Sequence, residues 1–258
     1  MTPTDLAWQD DKRLRIGEVE FLVTSDPAEL HGVESTERCF VLGKNRAMVM
    51  RMVRLAARQE IRKVLDIGIF KAGSVVLFDR LFQPEKLVAI DLNPIPVAAL
   101  GRYIAAHARE AHVRPFYGVD QSDAGRVGEI LAAEFPRQDV DLIVDDASHF
   151  YAETRAAFNL CFPYLRSGGH YIVEDWGWAH WPGEQWQKGD AYFAGKPALT
   201  NLLVELCMLS ASRQDLASEV VVRPDTITVR RGPGALPVRG FDIGEHYLLR
   251  GRKFAAWL

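Results

Sequence analysis

Two apolar runs in this chain stop at paired acids. VDLIVDDASHF (140–150) ends on Asp145 and Asp146 and places His149 three residues further on, and YIVEDW (171–176) ends on Glu174 and Asp175. Carboxylates grouped in this way suit a hard divalent cation, which takes oxygen ligands. A histidine beside them can move a proton near neutral pH. Neighbouring side chains of a strand point to opposite faces. Only one of Asp145 and Asp146 is therefore expected to be a ligand. Glu174 and Asp175 can share an ion only if the backbone deviates where the strand ends.

The habit recurs at Asp66, Asp91 and Asp120, each at the end of an apolar run. One such acid is ordinarily the cap of the next helix. Five acidic strand ends in succession point instead to a ligand cleft, because open parallel sheets bind ligands beyond the carboxyl ends of their strands. The first of these turns reads DIGIFKAGS, where Gly68 and Gly73 allow close backbone approach and Gly73 can open a helix. A dinucleotide fingerprint fails because position 70 is Phe. A phosphate loop fails because Ser74, not Lys, follows Gly73. A triphosphate would also face Asp66 and Asp91 uncompensated. A cationic nucleoside remains: S-adenosylmethionine carries a sulfonium, an ammonium and a ribose diol. Asp91 stands where an acid can accept both ribose hydroxyls. VDQSD (119–123) would then lie over the adenine, with Asp123 otherwise a helix cap.

These residues need a frame that brings strand ends together. From residue 60 the chain alternates five short apolar runs with four stretches of helical spacing, from RKVLDIGIF to GGHYIVEDW. Near-continuous apolar strands require a parallel sheet covered on both faces, so the expected class is α/β: a Rossmann-like, doubly wound, mostly parallel sheet. ALTNLLVELCMLSAS reads as a helix. SEVVVRPDTITVRRG reads as an antiparallel hairpin, having no room for a crossover helix. FVLGKNRAMVMRMVRLAARQ (40–59) reads as an amphipathic helix, and residues 1–35 give no assignment. The expected organisation is an extension with a helical cap over 1–59 and one domain over 60–258.

VLDIGIFKAGS, AIDLNP, GVDQSD, VDLIVDDASHF and LRSGGHYIVEDW together resemble the core motifs of class I S-adenosylmethionine-dependent methyltransferases. DDASH with VEDW narrows the resemblance to macrolide-sugar and rhamnosyl O-methyltransferases and the cephalosporin-hydroxylase-like proteins. The resemblance covers residues 60 to about 176. Ala72 departs from it where the group often has a second glycine. It implies that Asp146, Glu174 and Asp175 bind Mg²⁺ and that His149 is the general base. The expected cofactor contacts are Asp66, Gly68, Lys71, Gly73, Ser74, Asp91, Asp120, Gln121, Ser122 and Asp145.

The chemistry agrees with this division of roles. A sugar hydroxyl has a water-like pKa of about 15.7, and an imidazole of ordinary pKa ~6.5 falls about 9 units short of it, roughly 12 kcal/mol. A divalent cation touching the hydroxyl closes that gap. The expected function is Mg²⁺-dependent methylation of a sugar hydroxyl in a glycosylated secondary metabolite, an antibiotic-pathway reaction. A catechol-type O-methyltransferase would use similar metal chemistry on a phenol, with an Asp-Asn pair and a lysine base. A non-catalytic partner subunit would keep only the cofactor fold. Trp176, Trp178, Trp181 and Trp186 crowd the stretch 176–197, which is rich in Gly and Pro. It suits a lid, a sugar-stacking surface, a packed loop or a subunit contact, and His180 and Tyr192 could touch substrate there.

Charge and composition exclude other classes. A net charge of −3 with scattered basic residues gives no general affinity for nucleic acid or anionic membrane. Cys39, Cys161 and Cys207 are odd in number and far apart, which suits reduced thiols in a cytoplasm. The first residues lack a signal-peptide core, and no apolar run reaches membrane-spanning length. The expected partner is a small-molecule glycoside, and the expected assembly is a homo-oligomer.

Overall fold

Buried β-branched runs and amphipathic segments alternate along the chain in the computed structural model, which describes residues 5–188, 193 and 195–257. The chain packs as two units, Met1–Val119 and Asp120–Leu258.

The first unit opens with β1 (Leu6–Trp8), β2 (Arg13–Ile16), β3 (Val19–Val23), helix α1 (Pro27–Gly32) and β4 (Cys39–Leu42). These four strands pair in sequence order, β3 and β4 in parallel and the others antiparallel. Alternate residues of β2 and β3 turn inward, and Leu14, Ile16, Val19 and Phe21 bury with Phe40. The stretch that sequence periodicity left unassigned thus holds β1, β2, β3 and the short helix α1. α2 spans Arg46–Arg58 and buries Met48, Val49, Met52, Val53 and Ala56 on one face.

The helix expected from residue 40 starts only at Arg46. Phe40 and Val41 pair with Phe21 and Leu22 of β3, and extended Asn45 caps the helix by accepting from Met48 N at 3.0 Å. Then follow β5 (Lys63–Ile67), α3 (Gly73–Phe82), β6 (Lys86–Asp91), α4 (Ala98–Ala106) and β7 (Val113–Tyr117). β5, β6 and β7 are parallel neighbours in that order.

The second unit contains α5 (Ala124–Glu134), β8 (Val140–Asp145), α6 (Tyr151–Cys161), β9 (Leu165–Glu174), α7 (Glu184–Gln187), α8 (Thr200–Ser212), β10 (Ala217–Val222) and β11 (Thr226–Arg231). α6 tightens into a 3₁₀ turn, Phe162–Tyr164, at Pro163. β8 is buried along its whole length and pairs in parallel with β9. β11 is antiparallel to both β9 and β10, giving the expected C-terminal hairpin. The Phe158 ring stacks on Phe162 and meets Tyr171 of β9 edge to face, with 5.0 Å between the Phe158 and Tyr171 centroids. The fold is α/β, its strands mostly parallel with an antiparallel end, as the sequence pattern requires. No helix among the described residues is long and apolar enough to cross a membrane.

Candidate active site

In the first unit the turn after β5 is held from three sides. Gly68 has φ +105°, a conformation that glycine adopts without cost. Asp91, the last residue of β6, accepts from the backbone N–H of both Ile69 and Phe70 at 2.8 Å, and its other oxygen accepts from Asn93 N at 2.7 Å. The acid expected to meet a ribose therefore also braces the glycine turn. Asp66 is fully buried below, where the Ser74 hydroxyl donates to it at 2.7 Å. Lys71 Nζ donates to the carbonyls of His31 and Val33 and lies 3.0 Å from Glu34, so its charge ties the turn to the end of α1. Gly73 opens α3, but its missing side chain makes room for protein. A Cβ there would run into the Val41 carbonyl and the Leu42 backbone of β4.

In the second unit the acids divide as strand alternation requires. Asp145 turns inward and is buried, accepting from the Tyr171 hydroxyl at 3.0 Å and from Gln121 Nε2 at 3.3 Å. Burial pushes its carboxyl up to about 7, against the pull of the Tyr171 hydrogen bond and with the neighbouring Asp146 charge adding to the rise. Asp146 turns outward and lies 3.9 Å from His149 Nε2 through one oxygen, with both side chains partly exposed. Asp175 completes the group: among the described residues Asp146, His149 and Asp175 bring one potential ligand atom each within 4.8 Å of one another. Glu174, the remaining expected ligand, is buried at the last position of β9 and is not in that group.

Two backbone reversals make this group possible. Asp175 has φ +52° and His149 has φ +58°, left-handed values that side chains other than Gly, Asn and Asp seldom adopt. The strand therefore deviates immediately after Glu174, which frees Asp175 from the alternation that would point it away. Asp175 N donates to Asp225 O at 3.0 Å, and Trp176 Nε1 donates to Arg223 O at 2.7 Å. The turn of the β10–β11 hairpin thus fixes the end of β9. On the other side, Gln121 Oε1 accepts from Ser148 N at 2.9 Å, so Gln121 links Asp145 to the histidine loop. Asp120 accepts from the N–H and the hydroxyl of Ser122, and both hold its carboxyl below the usual range. Asp123 caps α5 by accepting from Gly125 N and Arg126 N.

Among the described residues of the stretch 176–197 are a 3₁₀ turn, Trp178–His180, and the short α7. Trp178 is buried with Phe150 and Ala198, and Trp181, Trp186 and Phe193 pack against them. These tryptophans form a small apolar core rather than a bare stacking face. His180 Nε2 lies 2.6 Å from the Thr200 hydroxyl, and Tyr192 falls outside the described residues. Sequence reasoning passed over Trp178 Nε1, which donates to the His149 carbonyl at 2.8 Å, and over Asp225. The only available signal for the first was the density of tryptophan next to an acidic strand end.

No family model matches the chain. It is 31% identical over 170 residues to demethylmacrocin O-methyltransferase of Streptomyces fradiae, a match covering 63% of this chain and 38% of that protein. It is 30% identical over 132 residues to mycinamicin VI 2''-O-methyltransferase of Micromonospora griseorubida, covering 48% and 29%. The matches thus span well under half the length of these relatives. A solved structure of the MycE methyltransferase from the mycinamycin pathway, in complex with Mg, SAH and mycinamycin VI, superposes with a TM-score of 0.53 at 25% identity, over 74% of this chain and 51% of that one. By sequence and fold this chain is similar to the macrolide-sugar O-methyltransferases and has the fold of class I S-adenosylmethionine-dependent methyltransferases.

Proposed function

We propose that this chain is an S-adenosylmethionine- and Mg²⁺-dependent O-methyltransferase acting on a sugar hydroxyl of a glycosylated secondary metabolite. The observation that carries the reading is the convergence of Asp146, Asp175 and His149 at the ends of β8 and β9. Two carboxylates this close, partly open to solvent, fit a cation that keeps several coordination sites for water or substrate oxygens, with the imidazole beside it left free to move a proton. When bound, the ion supplies the charge that lowers the pKa of an acceptor hydroxyl, and S-adenosylmethionine supplies a methyl group on a sulfonium.

The chain's own residues do the rest. Asp146 and Asp175 hold the cation, and Glu174 lies buried next to Asp175 at the last position of β9. His149 accepts the hydroxyl proton at a ring nitrogen as the oxygen takes the methyl. In the first unit, Gly68 and Asp91 receive the nucleoside, Gly68 by letting the backbone approach closely and Asp91 through lone pairs it does not spend on Ile69, Phe70 and Asn93. Lys71, Ser74 and Asp66 act on the cofactor through the turn they anchor. In the second unit, Asp120, Gln121, Ser122 and Asp145 shape the adenine side, where the Asp120–Ser122 and Gln121–Asp145 bonds fix the loop.

Calorimetric titration of S-adenosylmethionine, followed by transfer assays with demethylmacrocin in Mg²⁺ and in EDTA, tests the proposal. The expected result is cofactor binding in both media and transfer in Mg²⁺ alone. Metal-independent transfer would reduce Asp146 and Asp175 to structural acids, and absence of binding would end the enzyme reading.

A further inference from the structure

The loop that carries His149 is held far more firmly than a surface turn requires. His149 sits at φ +58°, a left-handed conformation that costs some energy for a residue with a side chain. Its carbonyl accepts the Trp178 indole N–H at 2.8 Å. The next residue, Phe150, meets the same indole edge to face, with ring centroids 6.2 Å apart at 83°. The Lys196 ammonium lies over the Phe150 ring at 3.9 Å. Tyr151 N donates to the Pro197 carbonyl at 3.3 Å, and Ser148 N is taken by Gln121. Four consecutive residues, 148–151, are each fastened, and Trp178 supplies both the hydrogen bond and the apolar contact at their centre. Trp178 is itself buried at 6% exposure, so its N–H has no water to return to.

We infer that Trp178 is a positioning residue for the reaction: its indole N–H fixes the reversed backbone of His149 and so keeps the imidazole facing Asp146 and Asp175. The inference rests on the general-base role proposed for His149. It gives the tryptophan-rich segment after β9 a task that neither a lid nor a sugar-stacking surface would have. It also explains why the segment begins where the carboxylate-bearing strand ends. One stretch of chain, 174–178, supplies the acid of the group and the anchor of the base.

Trp178→Phe keeps an aromatic ring in the apolar core and removes the donor together with part of the indole. It is compared with wild type and with His149→Asn, in which asparagine accepts the left-handed backbone but cannot act as a base. Two quantities are read on the full chain: kcat and KM with demethylmacrocin, S-adenosylmethionine and Mg²⁺, and amide hydrogen exchange over residues 147–151 without ligands. The expected result for Trp178→Phe is a fall in kcat between about tenfold and a hundredfold, with KM unchanged and faster exchange confined to 147–151. Wild-type exchange there, or faster exchange with unchanged kcat, would overturn the positioning role. His149→Asn at wild-type turnover, or a wild-type chain inert towards the acceptor in Mg²⁺, would instead bring down the reading beneath it. If Trp178→Phe fails to fold, Trp178→His restores an N–H donor on a smaller ring. It must then exchange more slowly over 147–151 than Trp178→Leu for the inference to stand.

Discussion

His149 and Asp91 do opposite kinds of work, and substitutions should separate them. His149→Asn leaves the first-unit turn intact, so S-adenosylmethionine affinity should stay within about twofold while turnover falls by roughly 10²–10⁴, the range for loss of a general base. Retained turnover would remove the base assignment. Asp91→Ala should weaken cofactor binding first. It removes the proposed ribose acceptor and also releases the amides of Ile69, Phe70 and Asn93. A charged hydrogen bond is worth about 1.5–3 kcal/mol, so a loss of affinity of tenfold or more is expected by calorimetry. Unchanged affinity would remove the ribose role.

The types of these residues were legible in the sequence, because acids at the ends of apolar runs are visible without coordinates. Their directions were legible only in part. Strand alternation sorted Asp145, which bonds Tyr171, from Asp146, which faces His149. It could not give the gathering of Asp175 and His149, which depends on positive φ at both residues, held by Asp225 and Trp178. Both restraints come from segments distant in sequence.

At the scale of elements, legibility follows burial. β6 and β8 are buried on both faces and read as unbroken apolar runs, so periodicity found them. β1 and β2 are only three and four residues long, and β2 carries Arg13 and Arg15 on its open side, so their pattern resembled loop. β4 was absorbed into a helix because CFVL is too short a run to separate from helical spacing.

Gly73 shows what an element demands of one position. Since β4 lies against the first turn of α3, Gly73→Ala should cost about 1–3 kcal/mol by overpacking, read as a lower urea midpoint with unchanged slope. Wild-type stability would mean that β4 can withdraw. α6 and α8 are joined differently. Buried Glu205 accepts from Arg155 at 3.0 Å and from the hydroxyls of Tyr151 and Tyr247 at 2.7 and 3.0 Å, while Arg155 also pairs with Asp242 at 2.6 Å. Glu205→Leu strips one partner from a guanidinium that is largely shielded and leaves two hydroxyls unmatched. A loss of about 3 kcal/mol or more in unfolding free energy is expected. A loss below about 1 kcal/mol would show that Asp242 alone satisfies Arg155.

At the scale of the whole molecule, the acid group should also be visible as stability. Its net charge of −3 gives the chain no broad affinity for cations, so any specific response to Mg²⁺ has to arise at a local site. A ligand that binds only the folded state stabilises it by about 2.7 kcal/mol at a hundred times its dissociation constant. In a chain of this length about 1 kcal/mol moves the melting temperature by roughly 2–4 °C, so saturating Mg²⁺ should raise it by about 5–10 °C. Asp175→Asn is the control that gives this rise its meaning. Asparagine tolerates the left-handed backbone at position 175 and keeps the side-chain shape, but it removes the charge. The variant should melt close to wild type in EDTA and lose most of the shift in Mg²⁺. An equal shift in both proteins would place the cation elsewhere, and no shift in either would leave Asp146 and Asp175 as acids without a metal. Because melting needs neither acceptor nor cofactor, it tests the metal assignment whatever the chain methylates.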